Sequence, residues 1–317
     1  MKNKIAIASA FLAASSFSMG EIVVNDFLSF EGFVDSSYST NQSDIEGTKE
    51  SDNSFQVDQV EISWLFDFDA VTAQIDLEYE DGDDGDNDGV EQAFVNYALG
   101  NGDVVTAGRY ASMLGFEAFE PTGLYQYSTA YDFSGILADA NTAIQALDGI
   151  GATSNIENVV DGLATSKYVQ GVKYTRTTDT TFFGISLQDQ AFGSDRDRLG
   201  GDVDGDSSFG VEVAGSIAFD NGFTVFAGGA FEDAESGDNQ LINAYVTYET
   251  GAWLFAAEVN VSESDDVAVS LDGVNTEGDV DGLSAMLMAN YAYSDVASVT
   301  ARISSLDYDA SGVDLEL

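Results

Sequence analysis

The sequence predicts an all-β chain folded as a transmembrane up-and-down antiparallel β-barrel of the outer-membrane type, and three observations carry that expectation. Past residue 26, apolar and polar residues alternate with period 2, as in strands with one apolar and one polar face. The connections between those strands are alternately short and long, which divides a meander into one end of tight turns and one end of outer loops. Aromatic residues gather near segment ends, where a membrane interface would hold them.

Ahead of the first strand, Lys2 and Lys4 form a basic region, Ile5 to Phe17 an apolar one, and Ser18-Met19-Gly20 places small residues where a signal peptidase reads. The apolar stretch is too short to cross a bilayer as a helix. Residues 1–20 therefore read as an export signal cleaved before Glu21, and 21–317 as a single barrel domain.

The alternation is plain in Val60, Ile62, Trp64, Phe66 and Phe68 against Glu61, Ser63 and Asp67, and in Val71, Ala73, Ile75, Leu77 and Tyr79 against Gln74, Asp76 and Glu78. It returns at 209–219 and 253–261. Thirteen strands follow, near 27–38, 54–68, 70–80, 90–99, 102–110, 166–176, 180–190, 208–219, 222–232, 240–249, 251–261, 282–293 and 297–307. Strands of about 9 to 13 residues suit a tilted membrane crossing.

Six short turns fall at 67–70, 100–102, 177–179, 220–222, 250–251 and 294–296, with Asn101-Gly102 and Asn221-Gly222 supplying tight-hairpin chemistry. The long polar connections are 39–53, 81–89, 111–165, 191–207, 233–239 and 262–281. Phe66, Phe68, Tyr79, Tyr97, Tyr174, Phe219, Tyr248, Trp253, Tyr291 and Tyr293 are the expected aromatic girdle. An odd count leaves the chain end on the outer side, in the acidic, loop-like "DYDASGVDLEL". A bacterial barrel of this type has an even number of strands, so the expectation is about 14–16 strands when complete: either the count is one short or closing C-terminal strands are missing.

The third long connection is the outlier in length, which marks it as functional. Within 135–165, Ile136, Leu137, Ala140, Ile144 and Leu147, then Ile156, Val159, Val160 and Leu163, have the spacing of two short amphipathic helices that would enter the lumen or cap its mouth.

Composition excludes several chemistries. With 10 Lys and Arg against 56 Asp and Glu the formal charge is −46, and without Lys2 and Lys4 it is −48. Such a field repels nucleic acid and attracts cations. The chain has no Cys and no His, which removes disulfides, thiol catalysis, His-ligated zinc and the Ser-His-Asp triad. No carboxylate pair stands out, and the chain is not read as an enzyme.

The stretch "TAGRYASMLGFEAFEPTGLYQYSTAYDF" (106–133), in which Gly108-Arg109 leads to Gly115-Phe116-Glu117 and then Tyr127-Ser128, resembles the β-barrel porin family of the OmpL-like type over about thirty residues. The resemblance implies an outer-membrane channel for passive diffusion of small hydrophilic solutes or ions. In such a channel selection is electrostatic, at a narrow place lined by charge. Alternation puts Glu61, Asp76, Glu78, Glu212, Glu258 and Asn260 on the lumen face, with Lys173 and Arg302 as sparse positive partners. Arg109, Glu117 and Glu120 enter with the third loop, where they line or brace the constriction; Arg109 pairing with a neighbouring carboxylate to stiffen the wall is the alternative. The acidic excess predicts cation preference.

Two acidic stretches resemble half of a calcium loop. Asp84, Asp86 and Asp88 have the spacing, yet the position of the bidentate Glu holds Val95. Asp202, Asp204 and Asp206 also lack the remainder. Both read as outer loops, either loosely binding Ca2+ or simply solvated. No cofactor is expected. Implied partners are outer-membrane lipid and lipopolysaccharide of a Gram-negative cell, solutes or cations, and a homo-oligomer that the sequence neither requires nor forbids. Two other readings stay open: a structural or adhesive barrel plugged by the 111–165 loop, and a secreted acidic calcium-binding β-sandwich.

Overall fold

The computed structural model describes residues 21–45, 48–80, 88–117, 125, 168–189, 191–192, 209–234, 237–271, 274–294, 297–310 and 313–316. They form β1 (Ile22–Asn25), β2 (Leu28–Ile45), β3 (Thr48–Phe68), β4 (Val71–Glu80), β5 (Asp88–Gly100), β6 (Asp103–Ala111), β7 (Tyr168–Thr177) and β8 (Thr181–Gln188). The second half holds β9 (Phe209–Ala218), β10 (Phe223–Ala234), β11 (Gly237–Thr250), β12 (Trp253–Leu271), β13 (Val274–Ser294), β14 (Ala297–Ala310) and β15 (Val313–Glu316). Each strand pairs antiparallel with the next, so sheet order is chain order. This is the predicted all-β up-and-down meander.

Which face is buried identifies the solvent. Antiparallel sheets in water bury their apolar face, and here the relation is inverted. Along β8, Phe183, Ile185 and Leu187 are exposed while Ser186 and Gln188 are buried. Along β12, Phe255, Val259 and Val261 are exposed while Glu258, Ser262 and Ser264 are buried. Exposed apolar surface on this scale, continued on β13 and β14 by Leu283, Leu287, Val299 and Ile303, belongs against lipid, where strand-to-strand ladders supply the backbone with hydrogen-bond partners.

The band has the height of a membrane. On β13 the outward apolar face runs from Leu283 to Tyr293; at about 3.3 Å rise per residue and about 40° tilt this is about 25 Å. At its short-turn end stand the exposed Phe68, Tyr97, Phe219, Phe223, Trp253, Tyr291 and Tyr293. Phe223 stacks on Tyr248 at 4.4 Å, and Trp253 meets Tyr291 at 4.7 Å. Asp69, Asn101, Gly102 and Gly222 take positive φ in the turns, and a Cβ on Gly102 would strike the Thr177 carbonyl oxygen, so only glycine fits there.

The structure corrects the loop assignment at several places. Much of 39–53 and 262–281, and most of 233–239, continue the ladders of β2–β3, β12–β13 and β10–β11. Above the apolar band the outward positions become acidic while staying exposed, as at Glu263, Asp279 and Asp281, so that face meets water and no longer contrasts with the polar inner one. Period-2 patterning reports a difference between two faces and fades where that difference ends, although backbone pairing does not. Tyr308–Ala310 and Val313–Glu316, expected as loop, likewise pair as the end of β14 with β15. β1 was also not expected; it turns into β2 through Asp26-Phe27, with the Phe27 amide donating to Asn25 Oδ1 at 3.0 Å. The thirteen strands read from the sequence thus become fifteen among the described residues. Asp84, Asp86, Asp202, Asp204, Asp206 and Glu120, and the predicted helices of 135–165, lie outside the described residues; Asp88 opens β5.

Placing a charge on the lipid face should be far costlier than placing it inside. Leu287→Arg is expected to lose about 2–4 kcal/mol of folding free energy in phospholipid bilayers. Ser304→Arg, whose position pairs with buried Met286 on the inner face, should lose less than about 1 kcal/mol. Equal losses in denaturant titrations would contradict this orientation.

Candidate functional site

The inner face contains two distinct walls. On β3–β5, Glu61 stands directly opposite Glu78 and Ser63 opposite Asp76, and a register shift beside Asp76 leaves Glu91 as an extra residue of β5. All four carboxylates are buried. Like charges placed opposite one another are destabilising unless donors surround them. Gln59 donates to Glu78 at 2.7 Å, Ser63 to Glu61 at 2.9 Å, and Gln74 and Gln92 to Asp76 at 2.9 and 2.8 Å.

Arg109 lies beside this wall. At Gly108, φ is +127°. A Cβ there would meet Phe94 Cα at 2.8 Å, and the strand's alternation breaks so that Arg109 and Tyr110 are both buried. The Arg109 Nε donates to the Glu91 carbonyl oxygen at 2.8 Å. Lys173 fixes the end of β6, donating to the Ala111 carbonyl at 3.3 Å with its ammonium 4.2 Å from the Tyr110 ring centre.

From Ala111 the chain enters the interior, and Ser112–Glu117 runs along the opposite wall. The Ser112 hydroxyl bonds to Glu212 of β9, whose other oxygen accepts the Met113 amide at 3.1 Å. The Gly115 amide donates to Asn243 of β11 at 3.1 Å, and the Phe116 amide to Glu258 of β12 at 2.9 Å. Glu117 then receives Arg302 of β14 at 2.7 and 3.0 Å, both side chains almost fully buried. Asn243 also donates to Glu258 and to Asn260 at 2.7 and 2.6 Å, and Asn260 to Ser284 at 3.1 Å, so the acceptors are themselves held by a ladder across β11–β13.

Apolar contacts complete the seat. Met113 and Leu114 join Ala214, Phe226, Ala230 and Leu241, while Phe116 joins Ala256, Met286 and Met288 and stacks on Tyr125 at 5.6 Å. Wall glycines make room: a Cβ on Gly228 would meet Leu114 Cδ2 at 2.5 Å, and one on Gly184 would strike Met113 Sδ.

The sequence-derived set is therefore split. Glu61, Asp76 and Glu78 form one wall with Arg109 beside it; Glu212, Glu258, Arg302 and Glu117 are brought together by the crossing segment; Lys173 stands at its entrance. Glu117 pairs with Arg302, while the Arg109 Nε bonds the Glu91 carbonyl. Alternation missed Glu91, because a bulge shifts its parity, and missed Ser112 and Asn243. Glu232 has the inward parity of β10 and was legible by the same rule.

No protein-family model matches the chain, and no curated protein matches it by sequence. Solved structures do. The fold is similar to that of OmpF of Salmonella typhi in complex with daunomycin, with a TM-score of 0.56 and 14% identity over 94% of this chain and 85% of that one. It is similar to outer-membrane expressed OmpT of Vibrio cholerae, with a TM-score of 0.54 and 14% identity over 93% and 81%. The outer membrane channel DcaP of Acinetobacter baumannii gives a TM-score of 0.50 and 10% identity over 91% and 93%. The chain thus has a porin-like barrel fold.

Glu117 and Arg302 are 185 residues apart in sequence, so their coupling measures whether the segment is seated. A double-mutant cycle with Glu117→Gln and Arg302→Met should return a coupling of about 1–3 kcal/mol. A value near zero in the refolded barrel would mean that the segment is not held there.

Proposed function

We propose that the protein is an outer-membrane channel for small hydrophilic solutes or ions, that it prefers cations, and that the Ser112–Glu117 segment narrows the lumen. The observation that carries this reading is the segment's path: six consecutive residues lie inside a porin-like barrel, fastened from β9 to β14. Ordered backbone inside a membrane barrel is tolerated where it lines a cavity. Its fastening to one wall leaves the carboxylates of β3–β5 on another part of the inner face.

The charge preference rests on where the carboxylates are concentrated. Glu117 is compensated by Arg302, and Glu212 and Glu258 accept hydrogen bonds from the segment's backbone. Glu61, Asp76, Glu78 and Glu91 are concentrated on three adjacent strands. Four carboxylates beside Arg109 support a negative excess on that wall, which would attract cations. The resemblance of 106–133 to OmpL-like porins supports a weakly selective channel, and the residue 1–20 pattern supports export with 21–317 as the barrel. Lodging in a Gram-negative outer membrane, facing lipopolysaccharide with the acidic outer loops, belongs to the same reading.

A plugged structural or adhesive barrel is the second reading, favoured by one observation: Asp76, Glu61 and Glu78 are at most 8% exposed, little for groups meant to touch a stream of ions.

Planar-bilayer recordings under a KCl gradient separate the two. Stable steps with a cation-selective reversal potential are expected, and Glu61→Gln with Glu78→Gln should move that potential toward zero. A folded, heat-modifiable barrel that carries no current would leave the plugged reading.

A further inference from the structure

We propose that Ala191 and Phe192, beyond the end of β8, form an internal lock that holds the Ser112–Glu117 segment on the wall; its consequence for conduction rests on the channel reading above. Neither residue is part of the ladder joining β8 to β9, yet Ala191 and Phe192 are 1% and 2% exposed. Both of their amides donate to a single oxygen, Glu232 Oε2 of β10, at 2.6 and 2.9 Å. A carboxylate accepting two backbone N–H groups away from bulk water is a strong, directional anchor. It sets a short stretch of chain inside the barrel, as Glu212 does for Met113.

The two anchored stretches meet. Phe192 and Ala191 belong to the same apolar cluster as Met113 and Leu114, built on Ala214, Phe226, Ala230 and Leu241. The wall is cut back for both: Gly228 accommodates Leu114, and a Cβ on Gly210 would meet the Ala191 Cβ at 2.5 Å and its nitrogen at 2.9 Å. On a polar inner face the side chains of Met113 and Leu114 need apolar cover, and Phe192 with Ala191 contributes to that cover. The backbone bonds of Ser112–Glu117 are then competed by water only when the apolar cover opens. Residues from two separate inward stretches, held by Glu212 and Glu232, thus form one unit.

Hydrogen exchange on the refolded protein in detergent micelles tests the lock directly. Phe192→Ala should lower the protection of the Met113, Gly115 and Phe116 amides by about tenfold or more, as expected when a buried aromatic is truncated. Glu232→Gln, which keeps the size of the side chain but removes its charge, should lower it less and in the same residues. Phe231→Ala, on the lipid face of the same strand, should leave it unchanged. Wild-type protection of these amides in a folded, heat-modifiable Phe192→Ala barrel would overturn the proposal, and so would a loss spread equally over the ladder amides. In bilayer recordings, Phe192→Ala should raise the open-channel current noise several-fold without altering the reversal potential. If the wild-type protein carries no current, the channel reading fails, while the exchange result still decides the lock.

Discussion

Hydrocarbon offers no hydrogen-bond partner, and every other feature of this chain follows from that constraint. A strand crossing lipid must satisfy its backbone groups on neighbouring strands, which favours an antiparallel meander with short turns. Its side chains must then sort by face, apolar to lipid and polar to the interior. The inverted burial, with Phe183, Ile185 and Leu187 exposed and Ser186 and Gln188 covered, is the direct result. Carboxylates that a soluble core would exclude are concentrated inside.

Those carboxylates divide by what they accept. Glu212, Glu232 and Glu258 each accept amide hydrogens from chain outside the fifteen strands. A segment entering a barrel brings N–H groups that no ladder can pair, and an inner face rich in acceptors is the surface on which such a segment can rest. Glu61, Asp76 and Glu78 instead accept from side-chain donors of their own and adjacent strands. The same residue type, placed by the same alternation, is an anchor on one wall and a concentrated charge on another. What separates them is whether a loop passes by.

Apolar packing inside the barrel has a local origin too. Met113, Leu114, Phe116 and Phe192 stem from inward chain, and the wall positions they touch are small or soft: Ala214, Ala230, Ala256, Met286 and Met288, with Gly184, Gly210 and Gly228. Glycine in a strand interior weakens the strand and commonly marks close approach of another chain segment. Here all three lie on β8, β9 and β10, beneath the two inward stretches. Elsewhere the inner face carries polar side chains such as Asn290, which donates to Ser298 and Thr300.

The sequence by itself determined the fold class, the membrane-facing side and the turn end, because alternation records a sharp difference between lipid and interior that every crossing strand must respect. It placed Glu61, Asp76, Glu78, Glu212 and Glu258 on the inner face for the same reason. It did not reveal the strands that rise above the band, such as the upper parts of β2–β3 and β12–β13, where the sequence is polar at positions of both parities and the alternation disappears. Only the tertiary structure decided the partners. That Glu117 meets Arg302, that Phe116 rests on Glu258, and that Phe192 joins Met113 depends on where a departing segment crosses a curved wall. Residues far apart in sequence are joined by that curvature, and no local pattern carries it.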